Sequence, residues 1–151
     1  DGEVFALQGR AFGKEKPKYL TLKLDETKQK IFGLDTINLQ NRLYIVEGPI
    51  DSLFIDNCLA AAGADLQLPV EKKDVVFIFD NEPRNKQIID RMYRVIEKDY
   101  ELVIWPEGQI EKDINDMILQ GKSKLQIQNI ITENTYSGLS ALTKLNSYKR
   151  C

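Results

Sequence analysis

Three short apolar runs, each followed by acidic residues, constrain this chain more than any other feature. Leu43-Tyr44-Ile45-Val46 runs into Glu47-Gly48, Val75–Phe79 runs into Asp80, and Glu101–Trp105 leads through Pro106–Lys112 to Asp113. The first two are short, rich in strand-forming residues and uniformly apolar, the pattern of a strand covered on both faces, and Glu101–Trp105 reads as a third strand. Helical spacings separate them. Pro49–Ala62 carries Ile50, Leu53, Phe54 and Cys58, with Pro49 suited to open a helix and Gly63 to close it. Lys86–Lys98 carries Ile88, Ile89, Met92, Val95 and Ile96 along one side, and Asp113–Gln120 carries Ile114, Met117 and Ile118. Strands alternating with helices predict right-handed βαβ units, hence an α/β fold with a mainly parallel sheet flanked by helices.

The flanks differ in character. Glu3–Phe12 and Tyr19–Leu24 read as extended segments, the second with Leu20, Leu22 and Leu24 alternating as though facing a core, and Ile31-Phe32 reads as a further short strand. Residues 1–30 hold seven basic against five acidic residues within a chain of net charge -2, so the start is basic and the remainder acidic. This suits a polyanion held by lysines beside a metal site, although on charge alone solvated surface charge is the favoured reading. Three regions are expected: a basic β-rich segment over 1–41, a metal-binding domain over 42–120, and a partly helical tail over 121–151. The absence of an initial Met reads as a piece of something longer.

Composition excludes several chemistries. The chain has no histidine, so Ser-His-Asp and Cys-His mechanisms and His-ligated zinc are ruled out within it. Two cysteines make neither a disulfide framework nor a zinc site; Cys58, among apolar residues, reads as a small core residue, and a reducing cytoplasmic setting fits. No apolar run approaches the roughly 20 residues that span a bilayer, so no membrane role is expected.

In an open α/β sheet, ligands gather beyond the carboxyl ends of the strands. There this chain sets Glu47 and Asp51, then Asp80 and Glu82, then Asp113. Asp80 and Glu82, two apart, leave extended backbone on one face. Gly48 permits a sharp turn and close approach. Crowded carboxylates repel unless a cation neutralises them, and hard oxygen donors suit Mg²⁺ or Mn²⁺ with substrate phosphates completing the coordination. Asp51 and Asp113 also stand where acids cap helices or favour first turns, a purely structural role.

The ordered set Ile45-Val46-Glu47-Gly48-Pro49-Ile50-Asp51, Phe77-Ile78-Phe79-Asp80-Asn81-Glu82 and Pro106-Glu107-Gly108 with Lys112-Asp113-Ile114-Asn115-Asp116 resembles the Toprim domain. That domain is shared by bacterial-type primases, type IA and type II topoisomerases, recombination-repair proteins and certain nucleases. Upstream, Gln8-Gly9-Arg10, Pro17-Lys18-Tyr19-Leu20 and Ile31-Phe32-Gly33-Leu34 look like the segment preceding Toprim in the primases, which extends the resemblance over about residues 3–120. The resemblance implies Glu47 as the first-motif acid, Asp80 and Glu82 as catalytic metal ligands, Asp51 and Asp113 completing or supporting the cluster, and Arg10 and Lys18 contacting template or nucleotide phosphates. It implies short RNA primers made on single-stranded DNA from ribonucleoside triphosphates. The host cytoplasm is the expected setting if the gene is phage-borne. The usual second motif is Asp-x-Asp, and Glu82 departs from it by one methylene, which puts the ligand set in doubt. There is no zinc-binding segment, so template selection is expected elsewhere in the parent protein. A Toprim-type nuclease, and a nucleic-acid-binding module with a degenerate site, are the competing readings. Lys144, Lys149 and Arg150 offer cations to nucleic acid or a replicative helicase; a solvated terminal helix explains them as well. Trp105, Phe77 and Phe79 are expected in the core rather than stacking on bases.

Overall fold

The computed structural model describes residues 3–14, 16–17, 19–61, 71 and 74–151. The chain divides into two compact units, Asp1–Lys30 and Ile31–Cys151. In the first, β1 (Ala6–Arg10) pairs antiparallel with β2 (Tyr19–Lys23), Leu7 opposite Leu22 and Gly9 opposite Leu20. The leucines expected to face a core do not: Leu20, Leu22 and Leu24 are all more than half exposed, as is Leu7 on the partner strand. Alternation sorted one face of this hairpin as apolar, but a two-stranded unit has no second layer to bury it against.

The second unit is a six-stranded sheet in the order β3-β5-β4-β6-β7-β8. The strands are β3 (Ile31–Phe32), β4 (Leu43–Val46), β5 (Cys58–Ala61), β6 (Val75–Ile78), β7 (Glu101–Val103) and β8 (Thr135–Tyr136). The inner four are parallel, and β3 and β8 close the edges antiparallel. Alternate side chains feed two cores. On one face Leu43, Ile45, Val75 and Phe77 meet α2 (Lys86–Glu97), through Ile88, Met92 and Val95, and α5 (Gly138–Tyr148), through Ala141 and Leu145. On the other, Val46, Val76, Ile78 and Val103 meet Ile114 and Met117 of α3 (Ile114–Leu119) and Ile127 and Ile131 of α4 (Lys124–Glu133). Every residue of β4 except Tyr44, and all of β5 and β6, is buried. That explains the unbroken apolar runs: a parallel strand between two helical layers has no solvent face. Phe77, Phe79 and Trp105 are core residues, as expected.

One element differs from its sequence expectation. The helix expected over Pro49–Ala62 is a single turn, α1 (Pro49–Ser52), with Pro49 opening it; the chain then turns and Cys58–Ala61 forms β5, between β3 and β4 in the sheet. The helix has already ended at Ser52, and Asn57, whose φ of 52° is left-handed, a conformation Asn tolerates better than most residues, leads the chain into β5. Its amide donates to the carbonyls of Asn38 and Arg42, and its side-chain oxygen accepts from Asn38 N–H. Small apolar residues at 58–61 fit helical spacing and a buried strand alike. Gly63, expected to end that helix, lies outside the described residues.

Candidate metal centre

Val46 of β4 and Ile78 of β6 are direct partners across the parallel ladder, so Glu47 and Asp80 emerge beyond the carboxyl ends of adjacent strands. Asp51 comes from the single turn α1, and Asp113 is the N-cap of α3. These four acids line one small pocket with Ile78, Trp105 and Ile114. Gly48 makes the approach of Asp51 feasible: a Cβ at that position would overlap the Asp51 carboxylate.

The acids feel one another. Asp80 is raised to about 6, first by burial, then by the charge of Glu47, with Asp113 and Asp51 adding to it and Lys112 opposing. Burial also raises Asp51, against the Asn115 backbone N–H it accepts at 2.8 Å, with Asp113 and Asp116 pushing further upward. Each acid has a local partner as well. Glu47 pairs with Arg91 of α2. Asp113 accepts the Asp116 N–H at 2.7 Å, so its helix-capping role is realised alongside its place in the pocket.

Glu82 stands apart from the four. Its carboxylate meets Lys112 Nζ at 2.9 Å and Asn85 at 3.2 Å, and Lys112 holds it below the usual carboxylate range. It borders a separate hollow with Pro83, Arg84 and Asn85. Lys112 also reaches Asp80, at 3.6 Å, so a side-chain cation bridges the two acids of the second motif. Among the described residues no group of three acids is close enough to hold a metal ion as it stands. The donor set nonetheless fits a hard divalent cation: crowded oxygen donors, one of them raised by burial and by its acidic neighbours.

The chain is 36% identical to the DNA primase of Enterobacteria phage T4 over 155 residues, which is 99% of this chain and 45% of that protein. It is a primase homologue with a Toprim-type fold. No family model matches it. Its fold is similar to part of the crystal structure of the Aquifex aeolicus primase zinc-binding and RNA polymerase domains, at TM-score 0.64 and 23% identity over 89% of this chain and 38% of that one. The E. coli primase catalytic core matches at TM-score 0.62 and 22% identity, over 97% of this chain and 52% of the other.

Against the residues expected from the sequence of this homologue, the structure gathers Glu47, Asp51, Asp80 and Asp113 and sets Glu82 aside with Lys112. Arg10 lies in the separate N-terminal unit, its guanidinium 5.5 Å from the centre of the Tyr19 ring. Lys18 lies outside the described residues. Four residues at the centre carried no expectation of their own: Arg91, Lys112, Asn81 and Tyr148. Asn81 and Lys112 sit inside the quoted motifs but between acids that drew the attention. Arg91 is one of several basic residues on the polar side of α2, and Tyr148 lies in the tail without any recognisable context. Cys58 is buried beneath the site; burial, and then the Asp51 charge, pushes its thiol up to about 12.

Proposed function

We propose that this chain supplies the catalytic, metal-binding part of a DNA primase: metal-dependent nucleotidyl transfer that builds short RNA primers on single-stranded DNA. The observation that carries the proposal is the set of four acids from three separate segments around one pocket, with Asp80 raised by burial and then by the charges of the others. Glu47, Asp51, Asp80 and Asp113 would hold Mg²⁺ or Mn²⁺, with Glu82 joining once Lys112 releases it. Such an ion lowers the pKa of an attacking 3′-hydroxyl and neutralises developing phosphoryl charge.

The chain's own residues do the rest. Arg91 fixes the Glu47 carboxylate from α2. Lys112 balances Asp80 and Glu82 and is a mobile point charge that can pass to a phosphate. Arg10 and Lys18 bring further cations suited to phosphate, Arg10 through a bidentate fork. The same reading carries ribonucleoside triphosphates and single-stranded DNA as substrates, a replicative helicase as a partner, and the cytoplasm (the host's, for a phage gene) as the setting. No helix among the described residues is long and apolar enough to cross a membrane.

The test is primer synthesis by the full-length protein from four ribonucleotides on mixed-sequence single-stranded DNA, with Mg²⁺ or Mn²⁺, beside Asp80→Ala and Glu47→Ala. Short RNA products lost in both variants support the reading. Metal-dependent cutting of the template without synthesis would replace it with a nuclease, and salt-sensitive DNA binding without turnover would replace it with a binding module.

A further inference from the structure

The second-motif loop is tied to the C-terminal helix through one amide. The Asn81 backbone N–H donates to the Lys112 carbonyl at 2.6 Å. Its side-chain nitrogen donates to the carbonyls of Gln109 and Glu111, at 2.8 and 3.1 Å. Its side-chain oxygen accepts from the Tyr148 hydroxyl at 3.0 Å. Asn81 thus clamps the segment that leads into Lys112 and Asp113 onto the segment that holds Asp80 and Glu82. Around this clamp the supports are firm. Glu111, itself buried, pairs with Lys122. The Arg150 backbone N–H donates to the Pro83 carbonyl at 2.8 Å, and Ala141 and Leu145 seat α5 in the core with no exposed surface.

The two ends of an Asn amide are nearly the same size, so packing alone does not choose between them. Here Asn81 and Tyr148 both line an open cleft of about 190 Å³. The Gln109 and Glu111 carbonyls, which only accept, turn the amide nitrogen toward themselves, and the Tyr148 O–H holds the side-chain oxygen that is left facing it. Burial pushes this phenol well above its ordinary range, with Glu82 and Asp80 contributing, so it remains a donor at any working pH.

We propose that Tyr148 and Asn81 are positioning residues for the metal centre: the Tyr148 hydroxyl anchors the Asn81 side-chain oxygen to the C-terminal helix, and Asn81 sets Asp113 against Asp80. The inference rests on the proposed metal site and adds the C-terminal helix to it, as the anchor of the second and third motifs. Outer partners of metal ligands typically govern affinity by 10–100-fold, and Tyr148 is one bond further removed, so the low end applies.

The test is Mn²⁺ titration of the full-length protein followed by electron paramagnetic resonance, with thermal unfolding and primer synthesis in parallel. Tyr148→Phe deletes one hydroxyl. It is expected to weaken Mn²⁺ binding roughly tenfold, with primer synthesis recovering at saturating Mn²⁺. Tyr93→Phe removes a different hydroxyl at the α2–α5 contact, one that donates to Asn146, and is expected to leave Mn²⁺ affinity unchanged. Equal weakening in both variants, or lowered melting with unaltered Mn²⁺ affinity in Tyr148→Phe, overturns the inference by reducing Tyr148 to a packing contact. Asp80→Asn separates the two levels: if it retains full Mn²⁺ binding, the ion sits elsewhere and the metal-centre reading falls, taking this inference with it.

Discussion

Replacing Asp80 by Asn should make the metal-free protein more stable at pH 8 and no different near pH 4. In the fold Asp80 titrates at about 6, against 3.8 for an ordinary aspartate, because it is partly buried and faces Glu47, Asp113 and Asp51, with only Lys112 opposing. The folded pKa is raised, so the folded state binds the proton more tightly than the unfolded one. The stability tied to that proton is present in full below about pH 4 and is lost as pH rises through about 6. Two units correspond to ~3 kcal/mol at 1.36 kcal/mol per unit for a fully shielded group. The side chain is 27% exposed, so water screens part of this; about half, ~1.5 kcal/mol, is the working figure. Asn keeps the shape and removes the charge.

Urea unfolding in EDTA at pH 4 and pH 8 reads the effect. With a slope of roughly 1–3 kcal/mol per molar, the variant's midpoint should exceed that of wild type by about 1 M at pH 8 and coincide with it at pH 4. Saturating Mg²⁺ should then reverse the order, since an ion bound only by folded wild type adds about 2.7 kcal/mol at a hundred times its dissociation constant. A variant less stable than wild type at pH 8 in EDTA would refute the reasoning, because it would mean that Lys112 already makes the Asp80 carboxylate net favourable.

Three further outcomes follow from named contacts. Asp113 caps α3 and lines the acidic pocket, and two substitutions separate these roles: Asp113→Ser retains a capping oxygen and should hold stability in EDTA while losing Mn²⁺ affinity, whereas Asp113→Ala should lose both, with a stability cost of about 1 kcal/mol by urea unfolding. Lys112→Met should move the Glu82 titration upward toward the ordinary carboxylate range, followed by carbon NMR of the carboxyl; an unmoved midpoint would remove Lys112 as the cause of its depression. Of the two cysteines, exposed Cys151 should react rapidly with a disulfide reagent at pH 8, while Cys58, buried and pushed up to about 12, should react only on unfolding; two fast thiols would contradict the packing of β5.

What the sequence made legible is what a buried parallel sheet forces on it. Leu43–Val46 and Val75–Ile78 have no face open to water, so their composition alone names them as strands, and the acids that follow have to emerge at the sheet's carboxyl edge. Cys58–Ala61 is buried just as fully, yet it escaped, because four consecutive apolar residues carry no period and the residue that turns the chain into them is a left-handed Asn rather than a Gly or Pro. The leucines of β2 mislead in the opposite direction: alternation reports that one face is apolar, not that anything covers it.

The same distinction runs through the site. Glu47, Asp51, Asp80 and Asp113 could be named because charge at a strand end is conspicuous in a sequence. Their counterweights could not. Arg91 is 44 residues from Glu47, and Tyr148 is 67 from Asn81, separations across which no spacing rule reaches. Glu82 makes the point most sharply, since two-residue spacing puts it on one face with Asp80 only while the backbone stays extended. The chain turns there, with the Glu82 N–H donating to the Asp80 carbonyl, and Lys112 then holds both acids from a loop the sequence leaves without regular structure. Local periodicity predicts which side chains are brought near the sheet's edge; the partner each one meets depends on loops and a tail whose paths the sheet, not the local sequence, determines.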